Sequence, residues 1–159
     1  MLIGVASDTH GKLDSTLRAV KMFESLEVEL VIHCGDIGSP AVIGLLQPWP
    51  THFVFGNVDD QGPLEEAIRR AGQTCHGRFG SLELEGRRIA FLHGDDSTRF
   101  RQAITSGTWD LVCYGHTHAA DLVRQGTTLV LNPGALSRAS QHTVAVVRLP
   151  TLDVQTITV

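Results

Sequence analysis

The sequence predicts an α/β protein, on three observations. Short apolar, β-branched runs alternate with amphipathic segments through the first half. Strand-like runs follow one another more closely in the second half. Several runs stop at a small polar cluster: Asp8-Thr9-His10, Gly35-Asp36, Gly56-Asn57-Val58-Asp59 and His93-Gly94. In open α/β sheets, ligands gather beyond the carboxyl ends of strands, where such clusters would meet.

The elements follow in order. Leu2 to Ser7 reads as a buried strand. Asp14 to Leu26 reads as a helix capped by Asp14 or Ser15, with Leu17, Val20, Met22 and Phe23 roughly on one face. Leu30 to His33 is the next strand. Pro40 to Leu46 fits a short helix, with Ser39 as cap and proline at its first position. His52 to Phe55 is a third strand. Pro63 to Ala71 repeats the proline-first helix and ends at Gly72. Ser81 to Glu85 and Arg87 to Leu92 read as a hairpin about Glu85-Gly86. Ser97 to Thr105 is a helix with Ser97 as its cap. Leu111 to Tyr114, Thr128 to Leu131, Thr143 to Leu149 and Val154 to Val159 complete the strands. The last two alternate in polarity and predict an antiparallel pair through Pro150.

A chain of 159 residues is long enough for one domain, 1–159, with a sizeable core. The formal net charge of -4 argues against a protein that chiefly grips nucleic-acid backbone. Cys34, Cys75 and Cys113 form no C-x-x-C pair, so reduced thiols and an intracellular setting are expected, with Cys34 and Cys113 in the core. No basic segment precedes the first apolar run, which Asp8 and His10 soon interrupt. No run approaches membrane-spanning length, so the expected location is cytoplasmic, with no membrane partner.

Taken singly, most polar clusters have an ordinary explanation. Asp36 after Gly35 and Asn57 after Gly56 are common turn chemistry. A lone His93 is more often a hydrogen-bonded core histidine. Asp8 with His10 divides evenly between a capped turn and a ligand pair. Gly115-His116-Thr117-His118 stands apart, because two imidazoles beside a glycine in a loop suit a metal. Together, seven candidate ligands at strand ends are hard to explain by packing. Imidazoles mixed with carboxylate and carbonyl oxygens suit manganese, iron, zinc, cobalt or nickel better than calcium or magnesium alone.

The order Asp-x-His, Gly-Asp, Gly-Asn-x-Asp, His-Gly and Gly-His-x-His resembles the calcineurin-like metallophosphoesterases. The short length points to the compact bacterial and archaeal phosphodiesterase branch, related to the retromer scaffold subunit. Leu131-Asn132-Pro133-Gly134-Ala135-Leu136-Ser137-Arg138 is similar to that branch's Asn-Pro-Gly-Ser loop, so the likeness runs from Asp8 to Arg138. The resemblance implies a four-layer α-β-β-α sandwich, the metallo-dependent phosphatase fold, with two divalent ions at one sheet edge. Manganese is the first expectation, with nickel, iron, zinc and cobalt as alternatives. Asp8, His10 and His118 would hold one ion, Asn57, His93 and His116 the other, and Asp36 would bridge them. The implied chemistry is in-line attack on a small phosphate ester, first a diester, by a hydroxide bridging ions roughly 3.5–4 Å apart. Asp36, Asn57 and His93 would contribute by positioning metal and phosphate. Relatives form dimers or larger assemblies, which leaves a homo-oligomer open.

The chain departs from that pattern at three places. Val58 stands where many relatives have histidine and the compact branch often has cysteine, so no clear general acid is present. Asp95 stands where the family commonly reads His-Gly-His. It divides between orienting a ligand histidine, acting as an acid, and forming a solvated turn before Ser97. Ala135 replaces the usual serine. Asp59, Asp95 and His33 are candidates to support the ligands, with a plain buried histidine as the equal alternative for His33. His52, His76 and His142 read as surface or structural. Two other functions stay open: a phosphomonoesterase on nucleotides or phosphoproteins, and a non-catalytic metal-binding scaffold of the same fold. The complete ligand set favours catalysis, while Val58 keeps the scaffold in play.

Overall fold

The computed structural model describes residues 1–159. Strand β1 (Leu2–Ala6), helix α1 (Leu13–Ser25), β2 (Leu30–His33), α2 (Pro40–Leu45), β3 (Thr51–Phe53), α3 (Gln61–Arg70) and β4 (Thr74–Cys75) form the first half. The second half runs β5 (Phe79–Leu84), β6 (Arg87–Leu92), α4 (Ser97–Thr105), β7 (Leu111–Cys113), β8 (Asp121–Gln125), β9 (Thr128–Asn132), β10 (Thr143–Arg148) and β11 (Asp153–Thr158). One six-stranded sheet has the order β11-β10-β1-β2-β3-β4, and a five-stranded sheet has the order β5-β6-β7-β9-β8. β1 to β4 pair in parallel, as do β6, β7 and β9, while β10, β11, β5 and β8 add antiparallel edges.

Alternation along the strands builds the layers. Ala6, Val31 and Phe53 turn to α1, α2 and α3, meeting Phe23, Ile43, Leu46 and Ile68. Their neighbours Ile3, Val5, Leu30 and Ile32 turn the other way, onto Ile89, Phe91, Leu111 and Leu131 of the second sheet. Ala90, Leu92 and Val112 face outward again, under Ala103 of α4. The result is helices, sheet, sheet, helix. Phe23, Phe53, Phe55 and Phe91 are fully buried, and each contributes about 1.5–3 kcal/mol by leaving water. Cys34 and Cys113 lie in the inter-sheet core as free thiols. No helix is long and apolar enough to cross a membrane.

Element ends differ from the sequence reading where caps compete. Lys12, not Asp14 or Ser15, precedes α1 and offers no side-chain cap. Ser15 is buried, and its hydroxyl donates to the Leu136 carbonyl instead. Asp96 caps α4, accepting from the Arg99 amide at 3.0 Å, which makes Ser97 its first residue. α3 begins two residues before Pro63, which the first turn tolerates because its amide would go unpaired there. Two strands had no sequence signal. β4 has only two residues, and β8 is exposed along its whole length, so neither carries an apolar period.

This topology sets the chemistry-bearing residues on one rim. Asp8, Asp36 and Asn57 follow the carboxyl ends of β1, β2 and β3, while His93 and His116 follow those of β6 and β7.

Candidate metal centre

Five of the seven candidate ligands converge closely. His118 Nε2 lies 3.1 Å from Asp8 Oδ1. His10 Nε2 and His93 Nε2 lie 3.4 Å and 3.2 Å from Asp36 Oδ2, so this oxygen sits between two imidazoles. The same two nitrogens stand 3.8 Å and 4.0 Å from Asp8 Oδ1. Ligand atoms of Asp8, His10, Asp36 and His118 all lie within 4.8 Å of one another. The His116 ring packs edge-on to His93, with centroids 5.1 Å apart. Asn57 is exposed on the loop that wraps Asp36, where the Val58 amide donates to Asp36 Oδ1 at 3.3 Å.

The donor set fits a cation. Asp8 Oδ1, His10 Nε2 and His93 Nε2 are buried and have no hydrogen-bond partner. Buried polar atoms are nearly always paired, and three orphans aimed at one spot call for a ligand. Two buried carboxylates at this spacing also need positive charge. Burial lowers the His10 pKa despite the pull of Asp36, so that ring does not supply it. Burial also works against charge on His93, but Asp36, the Cys34 carbonyl and the Asp8 charge outweigh it and raise its pKa. The Asp36 carboxyl is disfavoured by burial, yet contact with His93, the Val58 amide and His10 hold it below the ordinary value. The surroundings that hold the Asp36 pKa below its ordinary value and raise that of His93 suit a cation for the same reason.

Supporting contacts aim each ligand. The Cys34 carbonyl accepts from His93 Nδ1 at 2.8 Å, turning Nε2 and its lone pair inward. Asp8 Oδ2 accepts from Ser7 Oγ at 2.6 Å and from the His116 amide at 3.1 Å, leaving Oδ1 free. Asn132 Nδ2 donates to the Gly115 carbonyl at 2.9 Å and contacts Thr117 Oγ1 at 3.0 Å, which holds the His116–His118 loop. Gly115 cannot carry a side chain, because a Cβ there would stand 1.9 Å from Ser7 Oγ. Asp8, His10, Asp36, His116 and His118 all adopt left-handed backbone, with φ between 43° and 68°. Such conformations cost of order 1–3 kcal/mol each for non-glycine residues and cluster at functional sites. Nothing in the sequence marks Ser7 or Cys34 for these tasks, and Asn132 stands out only as the first residue of the Asn-Pro-Gly loop.

The three candidate supporting residues differ. Asp59 accepts from the amides of Gly38 at 3.0 Å and Gly56 at 2.8 Å, clamping the loops on either side of Asp36. Asp95 pairs with Arg78, which also reaches the Phe55 carbonyl, and contacts none of the histidines. His33 is fully buried, with Nε2 3.0 Å from Thr9 Oγ1 and Nδ1 accepting from the Gly35 amide at 3.3 Å. Thr9 Oγ1 donates to the Ile37 carbonyl at 2.9 Å, so it accepts from His33 and the ring is neutral. His52 and His76 pair with each other at 2.9 Å and pack against Phe91.

Burial pushes the His33 pKa down to about 4. Above its unfolded value of 6.5 both states are neutral and its contribution is constant. As pH falls from 6.5 toward 4, the unfolded chain takes up a proton that the folded chain refuses, so stability is lost. The expected loss between pH 7 and pH 5 is on the order of 2 kcal/mol. Urea unfolding of the wild type and His33→Gln at both pH values measures it. An equal loss in the variant would remove His33 as the cause.

The sequence of residues 1–153 matches the model of the calcineurin-like phosphoesterase superfamily domain. The chain belongs to that superfamily. Phosphodiesterase MJ0936 of Methanocaldococcus jannaschii is 34% identical over 138 residues, covering 84% of this chain and 83% of that protein. The probable metallophosphoesterase YsnB of Bacillus subtilis is 30% identical over 144 residues, covering 86% and 75%. The solved structure of an archaeal phosphodiesterase superposes with a TM-score of 0.92 at 29% identity, with both chains covered in full. Vps29 from Entamoeba histolytica shares the fold, with a TM-score of 0.69 at 14% identity over 100% of this chain and 99% of its own. The calcineurin-like phosphoesterases are hydrolases, and in this member Asp8, His10, Asp36 and His118 form a cluster that could hold a metal ion.

Proposed function

We propose that this chain is a dinuclear metal-dependent phosphoesterase that hydrolyses small phosphodiesters. The observation that carries this reading is the convergence of three orphaned buried atoms, Asp8 Oδ1, His10 Nε2 and His93 Nε2, about the Asp36 carboxylate. Asp8, His10 and His118 would hold one ion, Asn57, His93 and His116 the second, and Asp36 would join both. When bound, two ions of manganese, or of nickel, iron, zinc or cobalt, supply Lewis acidity and hydroxide near neutral pH for in-line attack at phosphorus. The chain's own part is placement: the Cys34 carbonyl and the Ser7 hydroxyl fix which atoms of His93 and Asp8 are left to face the ions. A prepositioned set needs no reorganisation as charge develops.

Val58 shapes the preference. It is 55% exposed beside Asn57 and has no proton to give, so a poor alkoxide leaves without help. Val58→His is expected to raise kcat on phenyl or alkyl diesters by roughly a hundredfold, the low end of acid catalysis, with little change on p-nitrophenyl esters. Equal rates for the two proteins on poor leaving groups would show that no acid is missing.

The direct test is the manganese-dependent rate on bis-p-nitrophenyl phosphate against p-nitrophenyl phosphate, with His116→Ala as control. Diester cleavage lost in the variant supports the reading. Faster monoester cleavage would move it to a phosphomonoesterase. No cleavage with manganese, nickel, cobalt or zinc would replace it with a metal-binding scaffold.

A further inference from the structure

A groove of about 500 Å³ lies beside the metal centre, between the first turn of α1 and the loop after β9. Lys12, Arg18, Arg138 and His142 line it, against a single carboxylate, Asp14. The chain as a whole has a formal net charge of -4, so this concentration of positive charge runs against its average. The cations are organised. Arg18 Nη2 lies 3.2 Å from His142 Nδ1. A guanidinium can only donate, so the ring nitrogen accepts and Nε2 keeps its proton as a further donor.

Two chain connections tie the groove to the centre. Gly11 and Lys12 directly follow His10. Ser137, next to Arg138, donates to the Asp8 carbonyl at 2.9 Å. Arg138 itself is held in left-handed backbone at φ 54°, as the candidate ligands around it are. A substrate whose scissile phosphate sits at the Asp–His cluster would extend past His10 into a set of donors suited to phosphate oxygens.

We infer that the groove is a subsite for a second phosphate, so that the favoured substrates are phosphodiesters carrying a further phosphate group, as in a 5′-phosphorylated dinucleotide. The inference rests on the phosphoesterase reading of the neighbouring centre. It assigns Lys12, Arg18 and Arg138 to substrate selection and leaves the chemistry to the cluster.

The test compares thymidylyl-thymidine with and without a 5′ phosphate (pTpT and TpT) on the metal-loaded full chain. The expected kcat/KM ratio of pTpT to TpT is about tenfold or more, carried by KM, the advantage of one charge-assisted contact. Arg18→Ala and Lys12→Ala should each collapse that ratio toward one. A ratio of one in the wild type, or a ratio unmoved by both substitutions, overturns the inference. Amide chemical shifts give a readout independent of turnover. Titration with pTpT should move Lys12, Ser15 and Arg138 more tightly than titration with TpT, and Arg18→Glu should weaken that difference. Groove shifts with inorganic phosphate but equal affinity for the two dinucleotides would overturn the substrate assignment in favour of a free-phosphate site. If no diester is cleaved with any metal, the phosphoesterase reading falls, and the titrations alone support the groove by tighter pTpT or overturn it by equality.

Discussion

Asp36→Asn is expected to release at least one bound metal ion and to lower manganese-dependent diester hydrolysis by roughly a thousandfold, the several kcal/mol that metal placement supplies. Asp36 Oδ2 stands within 3.4 Å of two imidazole nitrogens, those of His10 and His93. An amide offers one neutral oxygen where the carboxylate offers two charged ones, and its other terminus presents hydrogens to whatever is held there. The fold should survive. The metal-free variant is expected to unfold at a somewhat lower temperature than the wild type, because His93, the Val58 amide and His10 favour the charged carboxylate in the fold and an amide answers them less well. Metal content by elemental analysis and thermal unfolding without metal test the two halves separately. Full metal content in the variant would remove Asp36 as the bridge.

Gly56→Ala is expected to disrupt the same centre from behind. A Cβ at position 56 would stand 1.9 Å from Asp36 Oδ1, 2.5 Å from the Asp36 amide nitrogen and 2.6 Å from Cγ. The obstacle is space alone, since Gly56 is not among the left-handed glycines. One of the three atoms is backbone, so the loop must part from Asp36. Overpacking of this kind costs about 1–3 kcal/mol, and the Val58 amide leaves Asp36 Oδ1 with it. Gly44→Ala is the control. Nothing lies within 4 Å of a Cβ there, inside α2, and a gain of about 0.5–1 kcal/mol is expected from helix propensity and lost chain entropy. Urea midpoints give both changes. A Gly56→Ala protein as stable and as metal-loaded as the wild type would mean that the loop yields freely.

The buried strands were legible because both of their faces meet core. Val31 packs under the helices while Ile32 packs between the sheets, so the run is apolar throughout. The Glu85-Gly86 turn was legible because both residues take positive φ, the two-residue hairpin that glycine signals. β8 was not, since Asp121, Leu122, Val123, Arg124 and Gln125 are all exposed and follow no period. Among the candidate ligands, strand-end position and residue type pointed to Asp8, His10, Asp36, His93 and His118, which the structure draws together. What aims them stayed hidden. A backbone carbonyl at Cys34 has no sequence signature, and Ser137 reaches the Asp8 carbonyl across 129 residues. Asp95, which the sequence left divided between a role at the site and a turn before Ser97, pairs with Arg78.

The two sheets contribute unequally to the centre, and that division has a mechanical consequence. Asp8, His10, Asp36 and Asn57 leave the six-stranded sheet, whereas His93, His116 and His118 leave the five-stranded one. A cation held by both sets would rivet the sandwich at one end, where five parallel strands otherwise stop in loops. Shear between the sheets would then have to tear coordination bonds as well as slide apolar side chains. At a free metal concentration a hundred times its dissociation constant, the rivet adds about 2.7 kcal/mol against unfolding. Metal supply would thus set how long the molecule lasts as well as how fast it works.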